Sequence, residues 1–405
     1  MEIIKLLIVF GIIILMLILR KPLNLSMTAA GLAVILLYRL SGEAVLTALW
    51  EGIFGPTTLN TLAVLYCITF LQRMMEKRRQ LSSCQTAMSG LFNNRRINVS
   101  MVPFLLGCLP AASTVVICGP IVRESVGDHL SKEESAAITT FFRHISESFL
   151  PTYTGIFVAI SLTEGRVSPA LFVLGMLPLV ALLFVSGWLI YLRKLPRDTG
   201  LIPDRSRGHY VNMLIKSIWT IVLAIALILL LNMKVWAAVL VVIVLNFFVN
   251  HFTVQEILPF FRSAFEGNLM LNSIALMVFG KLVAASGVIE VLPTYFARLP
   301  LPEYLIYAML FFFGTLVAGS QAIYVMCVPM ALASVGSGSF LSLFLLIMSM
   351  SYAVMQISPT HICLTLCAED YKIPLGTLIR RQLPLVGAFV PMAFGYFFLL
   401  RAFGL

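Results

Sequence analysis

The stretch SFLPTYTG, Ser148 to Gly155, returns as QISPTHIC, Gln356 to Cys363, so that Pro151-Thr152 and Pro359-Thr360 stand 208 positions apart. The likeness extends to both sides. Upstream, LPAASTVVICGP (Leu109 to Pro120) pairs with LVAGSQAIYVMCVP (Leu316 to Pro329), and downstream LTEGRVSPALFVLGMLPL (Leu162 to Leu179) pairs with CAEDYKIPLGTLIRRQLPL (Cys367 to Leu385). The chain reads as a doubled unit. Polar residues around a proline, inside apolar stretches and at corresponding places of two halves, point to the solute site of a secondary transporter.

Composition sets the apolar context. Of the 405 residues, 60% are hydrophobic and 11% charged, with a mean hydropathy of +0.98. That leaves too little polar area to cover a water-soluble globule, so the bilayer is the expected solvent. A crossing helix needs roughly 20 mostly apolar residues, and Ile3 to Leu19, Leu214 to Leu231 and Leu383 to Leu400 are such runs. No small-residue cleavage site follows the first, which reads as a transmembrane helix rather than a removed leader.

With a boundary near residue 208, the two units are 1–208 and 209–405, and each divides alike into two plain spans, a short amphipathic piece, a third span, a Pro- and Gly-broken segment, an interrupted helix and a last span. In the first unit these are Ile3 to Leu19, Leu25 to Leu40, Glu43 to Phe54, Leu59 to Met75, Val99 to Val122, Glu134 to Leu162 and Ser168 to Leu192. In the second they are Asn212 to Leu231, Val235 to Asn250, Val254 to Glu266, Leu269 to Ser286, Glu303 to Ala333, Gly338 to Cys367 and Leu375 to Leu400. The broken segments carry Pro110, Ser113, Thr114 and Gly119 in one unit and Gly314, Gly319, Ser320 and Gln321 in the other, and read as re-entrant hairpins. A non-helical tip at membrane depth exposes backbone groups that only protein or a watery cavity satisfies, so it belongs where a ligand binds. A hairpin that enters and leaves on one side makes five crossings per unit, and an odd number inverts the second copy. The expected fold class is therefore an all-α polytopic membrane protein of two inverted repeats of five crossings.

Charge agrees with this topology. With the amino terminus outside, twenty of the 28 basic residues fall on the inner side, among them Arg78, Arg79, Arg95 and Arg96. Six, Lys5, Arg39, Arg166, Lys234, Arg298 and Arg401, fall outside, while Arg143 and Lys281 lie within spans. Basic residues favour cytoplasmic loops. The net charge of +10 thus describes loop orientation and contact with anionic lipid, not a nucleic-acid partner.

This pattern resembles the ion transporter superfamily, which includes divalent anion:sodium symporters, citrate and gluconate permeases and the large membrane subunits of tripartite transporters. Within it the chain is most similar to a branch of ten-span prokaryotic integral membrane proteins. The resemblance covers nearly the whole chain and rests on architecture more than on a residue signature. In the dicarboxylate symporters each hairpin tip has a Ser-Asn-Thr motif for sodium and the substrate carboxylate; the matching tips here are Ala112-Ser113-Thr114 and Gly319-Ser320-Gln321, which keep hydroxyls and lack the asparagine. The resemblance implies a multi-pass protein of the cytoplasmic (inner) membrane, not an enzyme, carrying a small anionic, carboxylate-type solute. It further implies sodium or protons as coupling ion, no other cofactor, an elevator movement of a transport domain past a scaffold, and a homodimer.

Breaking a helix exposes free N–H groups at one new end, which attract anions, and free carbonyls at the other, which coordinate cations. The candidate solute and ion ligands are Ser113, Thr114, Pro151, Thr152, Tyr153 and Thr154 with Ser320, Gln321, Ser358, Pro359, Thr360 and His361; each hydroxyl alone is equally at home capping backbone. Arg143, His144 and Glu147, in FFRHISES, share one helix face at spacings of three and four just before Pro151. Ionisable groups at membrane depth are retained mainly where they work or pair: Arg143 for an anion, His144 and Glu147 for a coupling proton, or all three as a neutralised structural cluster. His361 is a second protonation candidate or a packing residue, and Lys281 reads as snorkelling to a surface. Cys363 and Cys367 lie one turn apart, a weak hint of a soft metal, so no metal site and no catalytic residue is expected. A cation/proton antiporter is the alternative in the same class; a non-transporting membrane receptor or intramembrane enzyme is the alternative outside it.

Overall fold

In the computed structural model, which describes residues 2–405 except 20, 93, 109–113, 199–205, 232, 290, 292–299, 337 and 360, every regular element among the described residues is helical. The centre consists of two similar groups. The first is α6 (Arg95–Gly107), α7 (Thr114–Val126), α8 (Lys132–Ile145), α9 (Thr154–Ser161) and α10 (Pro169–Ile190); the second is α15 (Glu303–Ala318), α16 (Ser320–Val335), α17 (Leu341–Met355), α18 (Ile362–Tyr371) and α19 (Leu375–Ala402). In the first group α6 and α7 pack on each other and on α8; in the second α15 and α16 pack on each other and on α17. The groups then exchange partners: α7 lies along α18, α16 along α9, and α10 against α19. Every residue from Ser135 to Ile145 of α8 and from Leu341 to Met355 of α17 is buried, which puts these two helices at the heart of the core.

The joint between α15 and α16 is Gly319 alone, at φ +80° and ψ 158°. That backbone conformation is open to glycine and strained for any residue with a Cβ.

The periphery repeats the same exchange. It comprises α1 (Glu2–Ile18), α2 (Leu23–Tyr38), α3 (Gly42–Phe54), α4 (Pro56–Lys77) and α5 (Gln80–Leu91), then α11 (Arg207–Leu230), α12 (Val235–Val249), α13 (Val254–Ser263) and α14 (Gly267–Ala285). Helix α1 packs on α2, and α2 and α3 pack on α14; correspondingly α11 packs on α12, and α12 and α13 pack on α4. A Cβ on Gly52 of α3 would lie 2.6 Å from the Val278 Cα of α14, so the missing side chain is what lets the two backbones touch. Helix α5 falls in a segment that the sequence assigns to an inner loop. Cys84, Ala87 and Met88, spaced three and four apart, are buried, and α5 packs on α11; four polar residues in its first turn and a half, Gln80 and Ser82 among them, mask that short apolar face in the sequence.

Five helical stretches, Gly42–Lys77, Pro169–Lys194, Arg207–Leu230, Gly267–Ala285 and Leu375–Ala402, are long and apolar enough to cross a membrane. Large apolar side chains line the outside: Leu36 is 75% exposed, Leu230 81% and Phe248 66%. Water would penalise such a surface and hydrocarbon does not, so the chain is an α-helical membrane protein.

Lys281 does not reach out alone; its Nζ is 2.7 Å from Glu51 Oε2, which ties α14 to α3. A second polar clamp sits at the end of α4. Arg78 donates to both Glu256 carboxylate oxygens at 2.9 and 3.0 Å and to the carbonyls of Asn250 and His251, while Thr253 and Glu256 complete a capping box at the start of α13. The Arg78 hydrogen bond, aided by the Thr253 backbone, holds the Glu256 carboxyl down at about 2. A carboxyl lowered on folding stabilises above its unfolded value, about 4.3, and loses that contribution as pH falls towards the folded one. The melting midpoint of the wild type should therefore exceed that of Glu256→Gln at pH 7, with a gap that shrinks between about pH 4.3 and 2. A gap independent of pH would sink this account.

Candidate functional site

Helix α8 begins with a capping box, Ser131 Oγ accepting from the Glu134 N–H and the Glu134 carboxylate from the Ser131 N–H. Pro151, which lacks an N–H and disfavours helical backbone at Leu150, opposes its continuation. The helix instead tightens into a 3₁₀ turn over Ser146–Ser148 and stops. The orphaned carbonyls find local donors: Ser146 Oγ donates to Arg143 O at 2.9 Å and Ser148 Oγ to Ile145 O at 2.7 Å; one turn earlier, His144 Nδ1 meets Thr140 O at 2.5 Å. Helix α9 restarts at Thr154, and α18 restarts after His361; neither start has a side-chain cap among the described residues. Each start thus carries positive partial charge with no side-chain cap among the described residues.

The two breaks meet. His361 Nε2, at the second, lies 3.0 Å from His144 Nε2, at the first, with ring centroids 4.9 Å apart. His144 is wholly buried and His361 half-buried. Arg143, 2% exposed, donates to Glu147 Oε2 at 2.7 Å, and the same oxygen is 3.7 Å from His144 Nε2. The guanidinium also faces the Tyr153 ring at 5.8 Å, and the Tyr153 hydroxyl donates to the Gly107 carbonyl of α6. The spacing of Arg143, His144 and Glu147 on one face is therefore used in full.

Of the other sequence candidates, Pro151 and Ser358 are buried, Thr154 is half-buried at the start of α9, and Pro359 is exposed. Ser320 and Gln321 begin α16 and are half-buried; a Cβ on Gly155 of α9 would lie 3.8 Å from Gln321 Cγ, so the second hairpin tip reaches the first break. Thr114 begins α7, which lies along α18. Ser113 and Thr360, with Pro110, fall outside the described residues.

Several buried polar atoms lack a hydrogen-bond partner among the described residues: Thr114 Oγ1, Thr152 Oγ1, the Tyr352 hydroxyl and both ends of the Gln356 amide. A buried polar group left unpaired costs about 1–3 kcal/mol; others among the described residues, at Gln80, Asn98 and Trp236 for example, lie away from the breaks. Tyr352 and Gln356 come from the uncharged run before the second break, whose function periodicity does not betray. Gln382 of α19 was also missed; its Nε2 donates to Ala137 O at 2.9 Å and to Thr140 Oγ1 at 2.5 Å, bracing α8 just before the break. A lone amide in the apolar run Leu375 to Leu400 is the signal that could have found it. Cys367 Sγ turns to Ala136 O at 3.6 Å, whereas Cys363 joins the histidines: its Sγ and one nitrogen of each of His144 and His361 lie within 4.8 Å of one another.

No curated protein matches this chain. Residues 3–399, nearly its whole length, match the model of a family described as protein of unknown function (DUF401), and the chain belongs to that family.

Proposed function

We propose that this protein is a secondary active transporter of a small anionic, carboxylate-type solute, coupled to sodium or protons and working across the cytoplasmic membrane of a prokaryote. The observation that carries the reading is the meeting of two helix breaks, 208 positions apart in sequence, at His144 and His361, beside a buried arginine. Such a site offers an anion positive helix ends and a guanidinium without requiring the backbone to unfold. The exchanged packing of corresponding helices supports two inverted repeats of five crossings, with α7 and α16 as the inner arms of re-entrant hairpins. Ion pairs agree with the side assignment: Lys194 with Glu134 and Arg123 with Asp370 join inner residues. In this reading spans one and two of each unit form a scaffold, dimeric by resemblance to the ion transporter superfamily, past which the hairpins and interrupted helices move as an elevator.

A cation/proton antiporter is the second reading, favoured by the His144, His361 and Glu147 contacts, which bring titratable side chains together where the breaks meet. A receptor or an intramembrane enzyme would have no use for the paired breaks.

The test is thermal stability of the detergent-purified protein against a panel of organic and inorganic anions with sodium or potassium. A ligand at a hundred times its dissociation constant stabilises by about 2.7 kcal/mol. One anion class should raise the midpoint, and Thr152→Ala should abolish that rise while leaving the ligand-free midpoint near the wild type, because Thr152 Oγ1 has no hydrogen-bond partner among the described residues. A full response in Thr152→Ala would remove that residue from the site. Response to cations alone would replace this reading by the antiporter.

A further inference from the structure

We propose that His144, His361 and Cys363 form a binding site for a divalent cation of the zinc class, placed where the two helix breaks meet. The inference goes beyond the transport reading and does not depend on it. A carbonyl can only accept, so the 2.5 Å contact between His144 Nδ1 and Thr140 O puts the ring proton on Nδ1 and leaves a bare lone pair on Nε2. An imidazole held in this way by a backbone carbonyl is the arrangement that orients metal-binding histidines. The lone pair faces His361 Nε2 at 3.0 Å, and the Cys363 thiol completes a triad of donor atoms within 4.8 Å of one another. A point between three atoms so spaced lies no more than about 2.8 Å from each, against zinc bonds of about 2.0–2.3 Å to nitrogen and sulfur. Small side-chain rotations therefore close the triad around an ion.

The fourth position falls to Glu147, whose Oε2 is 3.7 Å from His144 Nε2, or to water. Two neutral imidazoles and a thiol bind the cation with release of one proton, from Cys363, so affinity rises with pH. The Arg143 guanidinium, paired with Glu147 at 2.7 Å, makes the site weaker than a closed structural zinc site. Nitrogen and sulfur donors exclude calcium and magnesium, which take oxygen ligands. Because the donors come from the end of α8 and the start of α18, a bound ion fastens the two breaks together. Without metal, His361 Nε2–H donates to His144 Nε2 and one proton occupies the place of the ion.

The full chain, purified in detergent and stripped with a chelator, is titrated with cobalt(II) and then zinc(II). The expected result is a thiolate-to-cobalt charge-transfer band with tetrahedral visible bands at one equivalent per chain, bleached by zinc, together with a raised melting midpoint. The charge-transfer band should vanish in Cys363→Ser, and His361→Gln should weaken zinc binding by roughly tenfold or more. Absence of the band in the wild type overturns the proposal, as does its survival in Cys363→Ser. Should Cys363→Ser fail to fold, mass spectrometry of alkylated wild type decides instead: zinc must shield Cys363 from the reagent, and equal labelling with and without zinc overturns the site. No anion enters these measurements, so their outcome and that of the anion panel are read separately.

Discussion

Arg143→Ala should lower the stability of the protein by about 3–5 kcal/mol and abolish binding of the anionic solute. The size follows from what the substitution leaves behind. Arg143 is 2% exposed and Glu147 16%, with the two 2.7 Å apart; removal of one partner strands the other as an uncompensated buried charge, which costs about 3–5 kcal/mol. The double variant Arg143→Ala/Glu147→Gln removes both charges, so it should recover most of the lost melting midpoint. It should not recover solute binding, because the guanidinium is still gone. These two readouts separate a structural pair from an anion ligand. A wild-type midpoint in Arg143→Ala would refute the buried pair, and solute binding by the double variant would take Arg143 out of the proposed site.

Gly107→Ala should be nearly as damaging, although the substitution adds a single methyl group. A Cβ at this position would lie 2.1 Å from the Arg143 carbonyl oxygen and 2.6 Å from Ser146 Oγ. The first obstacle is backbone in the middle of the core and cannot swing away, so α6 must retreat from the end of α8. Retreat also pulls the Gly107 carbonyl from the Tyr153 hydroxyl that locks the first break. Overpacking of a core costs typically 1–3 kcal/mol, and a collision with fixed backbone belongs at about 3 kcal/mol. Gly395→Ala in α19 is the control: a Cβ there meets nothing within 4 Å, and the helix should gain about 0.5–1 kcal/mol. Equal melting midpoints for the two variants would show that α6 is free to move off α8.

The membrane class and the helix breaks were legible because each rests on local chemistry. Apolar runs near the length of a bilayer crossing require hydrocarbon around them, and Pro151 and Pro359 each remove a helical hydrogen bond among polar neighbours that favour a break, whereas Pro178 and Pro384 lie within continuous helices. The Arg143 to Glu147 pair was legible for the same reason, since residues four apart on a helix must be neighbours. Helix α5 was not, because a face of Cys84, Ala87 and Met88 in a polar run becomes apolar enough only when α11 covers it. Nor was the partner of Lys281, which lies 230 positions away at Glu51.

By itself, then, the sequence determined that the chain lives in a bilayer, that helices break near Pro151 and Pro359, and which charged residues share a turn. Only the tertiary structure decided what the breaks confront: His144 against His361 across 217 positions, Cys363 rather than Cys367 beside them, and Gln382 bracing α8 from the last helix. The physical reason is one of range. Backbone donors and helical periodicity act over a few residues, whereas the meeting of two breaks is set by the mutual packing of α7 with α18 and α16 with α9, which depends on side-chain shapes drawn from both halves at once.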